Sequence, residues 1–229
     1  PLLPMQAEFA MPQWIYGMRT TAWDGQQLLA AACVEGRWQL GRLREERDAD
    51  ARPGAETAPC SWQPITTPCD DLADLVAAPG QLVVVASGPE IPSGLLEVDL
   101  SSGSWRHPGA APGALGPTAI SRPEPLWFPG HAGRATHAWF YPPLGAPDRP
   151  APLLLRGHSG PTAMARTGLN PALQFWTSRG WGVVEVNYGG STGFGRAYRE
   201  RLDGGWGVVD VDDCLAAVQA LVEAGRADP

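Results

Sequence analysis

Short apolar runs separated by turn residues make up the first 120 residues of the chain. The predicted strands cover residues 15–18, 28–34, 38–43, 82–86 and 95–100. Runs of this length, bounded by Gly, Asp and Ser, are typical of an all-β region. The second and third runs flank Glu35-Gly36-Arg37, a sequence that predicts a hairpin.

Two parts of this region resemble each other. Gly25-Gln26-Gln27-Leu28-Leu29 returns as Gly80-Gln81-Leu82-Val83-Val84, 55 residues later, and a second predicted strand follows each copy. A repeat of this length is typical of β-propeller blades with four strands each. The alternative is two unrelated hairpins in a β-sandwich. Residues 44–60, rich in charge and then in Pro and Gly, predict a solvated loop between strands.

From about residue 124 the pattern changes to buried strands and helices. Residues 135–141 and the apolar runs 152–155 and 181–187 predict strands, the last two covered on both faces. Asn170-Pro171 predicts the start of a helix that Gly180 ends. A strand, a short helix and a strand in this order predict a parallel crossover.

The last helix has the clearest apolar periodicity in the chain. Its apolar residues recur at three- and four-residue steps as one stripe: Val208, Val211, Leu215, Val218 and Val222. Three aspartates in its first turns favour a helix N-terminus, and Gly225 is its predicted end. The second half is therefore predicted to be α/β with a parallel sheet, and the next element is expected to be a strand.

Composition narrows the class of protein. The chain has 44% hydrophobic residues and a formal charge of −7, and all 17 basic residues are Arg. An acidic balance without a basic stripe argues against nucleic acid as a partner. No apolar run approaches membrane-spanning length. The four cysteines have neither metal-ligand nor disulfide-framework spacing. We therefore expect a cytoplasmic protein without metal or cofactor, and its ends predict a piece of a longer protein.

A candidate chemical motif, Arg156-Gly157-His158-Ser159-Gly160-Pro161-Thr162, directly follows the first buried strand. A Gly-containing turn at the C-terminal end of a parallel strand leaves backbone N–H groups free to face a ligand. In α/β-hydrolases such a loop supplies one donor of the oxyanion hole. This donor must lie where negative charge develops as an acyl carbon becomes tetrahedral.

Three ordered blocks resemble the prolyl oligopeptidase family, especially its acylaminoacyl-peptidase and dipeptidyl-peptidase-like branch. They are His158-Ser159-Gly160-Pro161, then Gln174-Phe175-Trp176 with Arg179-Gly180-Trp181, then the run from Val186-Asn187-Tyr188 to Gly193-Phe194-Gly195. Trp206-Gly207, followed by Asp210 and Asp213, continues the resemblance. It implies the N-terminal part of an α/β-hydrolase catalytic domain in residues 121–229, preceded by partial all-β propeller blades in residues 1–120.

The resemblance also implies the candidate catalytic residues. Gly160 would give its backbone N–H to the oxyanion hole. Ser159 replaces the first of two glycines that the family usually has, which puts close substrate approach at that position in question. His158 is interpreted as holding the shape of this loop, and Tyr188 as either contacting substrate or capping its strand.

Residues 189–193 read G-x-S-x-G, the pattern of a nucleophile elbow around Ser191. An elbow serine sits at the start of a helix, whereas here helix becomes plausible only from about Arg196. In α/β-hydrolases the histidine follows the serine, and no histidine follows His158 in this chain. Ser191 is therefore predicted to lie in a Gly-rich loop that flanks the site, and the catalytic Ser, Asp and His are expected beyond residue 229.

The function implied by the resemblance is a serine peptidase that hydrolyses short peptides through an acyl-enzyme, with the propeller restricting access. Since the triad is expected elsewhere, the chain alone is predicted to be inactive. The alternatives are an esterase or other acyl hydrolase, and a propeller-based interaction protein with a degenerate hydrolase domain. Acylaminoacyl, dipeptidyl and prolyl specificities, and oligomeric state, stay open.

Overall fold

The computed structural model describes residues 3, 5–12, 14–45, 60–107, 116, 120–145, 150–160 and 162–229. Most of the loop predicted at 44–60, part of the proline-rich loop 142–152 and Pro161 of the candidate motif lie outside these residues. Within them the chain forms three four-stranded sheets and three α-helices.

The first two sheets are antiparallel meanders of the same design. One contains β1 (Thr21–Trp23), β2 (Leu28–Val34), β3 (Arg37–Glu45) and β4 (Cys60–Ile65) in that order. The other contains β5 (Asp71–Ala78), β6 (Gln81–Gly88), β7 (Ile91–Asp99) and β8 (Trp105–Arg106). The 55-residue sequence repeat thus relates β2–β3 to β6–β7, and both sheets fit the architecture of propeller blades.

The β2–β3 hairpin is confirmed, with Glu35 and Gly36 both at positive φ (47° and 79°) in its two-residue turn. The strand predicted at 15–18 is wrong, since the described residues there form turns and β1 begins at Thr21. The sequence prediction also missed β4 and β5.

A shared apolar core joins the first two sheets. It contains buried residues of the first sheet, such as Leu29, Cys33 and Leu40, and of the second, such as Leu72 and Leu82. Because apolar side chains of both sheets are removed from water together, the two sheets stabilise each other.

The third sheet is mixed. It contains β9 (Glu124–Pro129), β10 (Ala135–Tyr141), β11 (Leu153–Gly157) and β12 (Gly182–Asn187) in the order β11-β12-β10-β9. Only the β11–β12 pair is parallel, and α1 (Pro171–Thr177) lies between these two strands in the chain. The predicted N-cap is confirmed, because the Asn170 side chain accepts hydrogen bonds from the N–H groups of Ala172 and Leu173.

After β12 come α2 (Arg196–Arg199) and α3 (Val209–Glu223). The predicted apolar stripe of α3 is not its buried face, since Val208, Val211 and Leu215 are 53%, 48% and 61% exposed. The helix instead buries a different face against the sheet, formed by Val209, Asp213, Ala217 and Leu221. No helix among the described residues has the length and apolar character needed to cross a membrane.

Candidate active site

The loop 158–160 begins where the parallel strand β11 ends. Ser159 and Gly160 are exposed, and Gly160 adopts a φ of +68° with no atom within 4 Å of the position that a Cβ would take. Among the described residues, no acceptor pairs with the backbone N–H of Ser159 or Gly160. Two neighbouring donors at the end of a parallel strand are therefore available to an anionic or carbonyl ligand.

The His158 side chain is held on both sides. Its ring stacks on Tyr188 with the centroids 4.3 Å apart, and its Nε2 lies 2.7 Å from Ser191 Oγ. Burial lowers the pKa of His158 below its ordinary value, which favours the neutral ring. The imidazole is thus fixed and uncharged beside the exposed donors.

The hydroxyl of Ser191 is already engaged. Ser191 is fully buried and donates its hydroxyl proton to the Tyr188 carbonyl oxygen at 2.7 Å. A hydroxyl has one proton, so His158 Nε2–H must be the donor to Ser191 Oγ. The imidazole therefore cannot accept a proton from Ser191 in this arrangement, which is the opposite of a nucleophile–base pair.

The backbone of Ser191 also differs from a nucleophile elbow. Its φ is not among the positive values of the described residues, and the next helix, α2, starts only at Arg196. This geometry agrees with the prediction that Ser191 is a structural member of a loop. The sequence reasoning did not predict its contact with His158, because a 33-residue separation carries no local signal.

Tyr188 closes the back of the loop 158–160. Its hydroxyl lies 3.0 Å from the Gly160 carbonyl oxygen and 3.1 Å from the His158 carbonyl oxygen. Burial raises the pKa of Tyr188 to about 12, so the hydroxyl keeps its proton and remains a donor. Tyr188, directly after β12, thus supports this loop, a role other than the two that the sequence left open for it.

The N–H groups of the loop 189–195, which follows β12, donate hydrogen bonds to acceptors from distant parts of the chain. Gly189 N–H donates to Asp213 Oδ2 at 2.7 Å, and Thr192 N–H donates to the Ala163 carbonyl at 2.9 Å. Gly193 and Gly195 both donate to the Glu8 carboxylate. The sequence pattern of glycines indicated a loop but not its acceptors.

Asp213 explains the orientation of α3. Besides Gly189, its carboxylate accepts from the His131 N–H at 2.7 Å and the Thr136 hydroxyl at 3.2 Å, and the residue is 1% exposed. If this carboxylate turned to solvent, its three donors would lose their acceptor, and leaving buried donors unsatisfied is costly. The helix therefore turns Asp213 inward and leaves the predicted apolar stripe outward.

Residues 163–167 cross the sheet directly after the candidate loop. Asn187 Oδ1 accepts from Ala165 N–H at 2.7 Å, and Trp139 Nε1 donates to the Ala165 carbonyl at 3.2 Å. Arg166 continues to the second sheet, where it pairs with Asp71 and donates to the Leu72 carbonyl at 2.7 Å. The candidate loop is thus linked to the second sheet within a few residues.

His137 supports residues 163–167 through its contact with Asn187. Its ring is fully buried and accepts from Asn187 Nδ2 at Nδ1, 3.1 Å away. Desolvation, and then the charge of Arg37, lowers the pKa of His137 to about 3. A neutral His137 therefore holds Asn187 in place.

A cleft of about 590 Å³ opens beside the candidate loop. Its lining includes His158, Ser159, Arg156, Glu185, Asp71 and Arg166. Burial raises the pKa of Glu185, while Arg156 at 3.1 Å opposes that shift. No group of three or more His, Cys, Asp or Glu residues in the described ranges could hold a metal ion.

The described residues form a sheet-rich protein with two antiparallel four-stranded sheets and one mixed sheet. The loop after the parallel strand β11 has two backbone N–H donors without an acceptor among these residues, an arrangement suited to binding an oxyanion. Residues 168–229 match the prolyl oligopeptidase family, Peptidase_S9. The resemblance predicted from three sequence blocks is therefore confirmed. The match begins after the loop 158–160, so the assignment of that loop depends on its geometry.

Individual relatives agree with this family. Dipeptidyl aminopeptidase BIII of Pseudoxanthomonas mexicana is 40% identical over 81 residues, which cover 35% of this chain and 12% of that protein. The structure of a puromycin-hydrolyzing peptidase of Mycobacterium tuberculosis is 36% identical with a TM-score of 0.87, over 99% of this chain and 34% of that one.

A puromycin hydrolase mutant, solved in complex with PGG, is 34% identical with a TM-score of 0.85, again over 99% of this chain and 34% of that one. The chain thus spans about a third of the length of the solved structures that it matches.

Proposed function

We propose that this chain is part of a serine peptidase in which the backbone N–H of Gly160 contributes to the oxyanion hole. The observation that carries the proposal is the pair of open donors at Ser159 and Gly160, at the end of the parallel strand β11. The family match of residues 168–229 supports a peptidase over the other reactions that use such donors.

We further propose that residues 1–120 are the C-terminal part of a β-propeller and that residues 121–229 begin an α/β-hydrolase domain. The parallel β11–β12 pair with α1 between its strands supports the second assignment. A parallel bridge between Ala151 and Ala227 also supports the hydrolase assignment, because Ala227 then lies beside the outer edge of the sheet at β11. A parallel sheet that grows past β11 would use this edge.

In the proposed mechanism a serine attacks the substrate carbonyl, and its proton passes to a histidine that an aspartate orients. Negative charge builds on the carbonyl oxygen, where the N–H of Gly160 stabilises it. The amine then leaves with the proton from the histidine, and water hydrolyses the acyl-enzyme. Neither Ser191, with its engaged hydroxyl, nor His158, which donates to it, fits these roles. We propose that the triad lies outside residues 1–229.

The proposed substrates are short peptides and aminoacyl amides. The solved relatives that match 99% of this chain are described as hydrolysing puromycin. Puromycin is an amide of an aromatic amino acid, so its cleavage is the same acyl transfer as peptide hydrolysis. An esterase is the alternative on the same scaffold, and parallel assays of a peptide anilide and a simple ester separate the two.

The test uses Gly160→Ala in the full-length protein. A Cβ at Gly160 meets no atom within 4 Å, but the positive φ disfavours alanine and displaces the N–H. We expect kcat to fall on the order of 10²-fold with little change in KM. Gly103→Ala, also at positive φ with open space, is the matched control and should keep full activity.

Unchanged turnover in Gly160→Ala would exclude the donor role. A fluorophosphonate probe applied to residues 1–229 tests the location of the nucleophile separately. We expect no labelled serine, and stoichiometric labelling of Ser191 would show that the nucleophile lies in this chain.

A further inference from the structure

Glu8 reaches from the first sheet to the Gly-rich loop 189–195. Its backbone pairs with Cys33 of β2 through two hydrogen bonds of 2.9 and 2.8 Å. Its side chain accepts from Gly193 N–H and, at 3.4 Å, from Gly195 N–H, and it forms an ion pair with Arg199. Glu8 is 8% exposed, so the carboxylate is a buried charge with three partners.

The loop needs such an anchor because its backbone is intrinsically free. Gly190, Gly193 and Gly195 have φ values of +114°, +90° and +88°, a region that glycine enters at little cost and from which it can also leave. Buried N–H groups without acceptors are costly. A carboxylate that accepts two of them selects one loop conformation.

Packing reinforces the same contact. A Cβ on Gly193 would lie 3.0 Å from Cys33 Sγ, and one on Gly36 would lie 3.1 Å from the Phe194 ring. Three parts of the first sheet therefore contact the loop 189–195: Glu8, the end of β2 and the β2–β3 turn. Of these three contacts, the one that Glu8 makes is between a carboxylate and the N–H groups of the loop.

The loop in turn fixes the candidate oxyanion loop. Ser191 receives the hydrogen bond from His158, and Thr192 donates to Ala163, so the loop contacts residues on both sides of Gly160. A shift of Gly193 would move Ser191 and Thr192, and with them His158 and Ala163.

We propose that Glu8 is a positioning residue of the active site: anchored to the first sheet, it fixes the Gly-rich loop 189–195 and, through Ser191 and His158, the donors at Gly160. This inference rests on the proposed role of Gly160. It makes the first sheet part of the catalytic support, so that displacement of this sheet is transmitted to the oxyanion loop.

The test compares Glu8→Ala and Glu8→Gln by amide hydrogen exchange and NMR of the 229-residue chain. For Glu8→Ala we expect exchange in 189–195 to rise about 10-fold, with shifted signals of the His158 ring and the Gly160 amide. Glu8→Gln keeps an acceptor oxygen but loses the charge, so it should give smaller changes in the same residues.

Asp24→Ala is the matched control. Asp24 is also buried and accepts from two backbone N–H groups, those of Gln26 and Gln27, each at 2.8 Å, but it lies in the β1–β2 turn. This variant should loosen that turn and leave the signals of His158 and Gly160 unchanged.

Unchanged signals of His158 and Gly160 in both Glu8 variants would overturn the positioning role, as would equal shifts in Asp24→Ala. If Glu8→Ala does not fold, Glu8→Gln decides by the same signals. These measurements involve no hydrolysis. Shifted signals together with unaffected turnover in Gly160→Ala would therefore support the positioning and reject only the proposed function.

Discussion

Two glycine-containing loops follow the two parallel strands of the mixed sheet, and they differ in how their N–H groups are used. In the loop 158–160 after β11, the donors of Ser159 and Gly160 are exposed and have no acceptor among the described residues. In the loop 189–195 after β12, the N–H groups of residues 189–193 all have acceptors. The first loop is open to a ligand and the second is closed on the protein.

This difference shows why a sequence motif alone misleads. The closed loop has the literal G-x-S-x-G pattern, yet its serine is buried and its hydroxyl is engaged by Tyr188. The open loop has a weaker pattern, yet its two donors have no acceptor in the part of the chain that the structure describes. Backbone groups can bind a transition state only when the fold has not already satisfied them.

The largest expected effect on stability comes from adding a methyl group to the closed loop. The same change in the open loop is the comparison. A Cβ on Gly190 would lie 2.7 Å from Leu202 Cβ at a φ of +114°, whereas one on Gly160 meets nothing. We expect Gly190→Ala to lower the free energy of unfolding by roughly 2–5 kcal/mol and Gly160→Ala by about 1 kcal/mol or less. Urea unfolding of both variants measures this. Equal losses would mean that the two loops are equally packed.

A smaller effect is expected from acid, which acts on His137 and so on the residues 163–167 that follow the open loop. The pKa of His137 is lowered from 6.5 to about 3, so between these values the unfolded chain binds more protons than the folded one. Stability is therefore fully present above pH 6.5 and is lost as the pH falls. His158, whose pKa is also lowered by burial, acts in the same direction.

Between pH 7 and pH 5 the His137 contribution amounts to about 2 kcal/mol. Urea unfolding at the two pH values should show this loss in the wild type and a correspondingly smaller one in His137→Gln. The same pH dependence in both proteins would refute the assignment. An NMR titration of the His137 ring, expected to stay neutral to pH 5, is the independent check.

The smallest effect is expected at the open loop. Tyr188→Phe removes the hydroxyl that lies between the carbonyl groups of His158 and Gly160 and should cost about 1 kcal/mol. Amide exchange should rise in residues 158–160 and stay constant in 189–195, since the backbone carbonyl of residue 188 still receives the Ser191 hydroxyl. Faster exchange in both loops would show that they move as one unit.

Much of the fold could be predicted from local patterns. The β2–β3 hairpin and the Asn170 N-cap depend on residues close in sequence, where turn and capping chemistry acts. The parallel β11–β12 pair followed from the order strand, helix, strand. The strand β4 carries a proline at position 64 and β5 a bulge between Ala73 and Leu75, which weaken the apolar alternation. Both were missed for that reason.

The candidate site likewise has parts that the sequence predicted and parts that it did not. Gly160 and the loop that contains it were recognised from a motif, while the contacts of Glu8, His137 and Asp213 were not predicted, because each acts on residues more than 20 positions away. No local rule relates a carboxylate at position 8 to an N–H at position 193.

The sequence by itself determined many of the elements, the repeat and the resemblance to a family, because these depend on short-range periodicity and on ordered blocks of residues. Only the tertiary structure decided which face of α3 is buried. The helix has two faces with apolar residues, and the hydrogen bonds of Asp213 select one of them. Likewise, only the tertiary structure decided which glycine loop has its donors paired with acceptors among the described residues, since satisfaction of a backbone N–H depends on acceptors that the chain brings from far away.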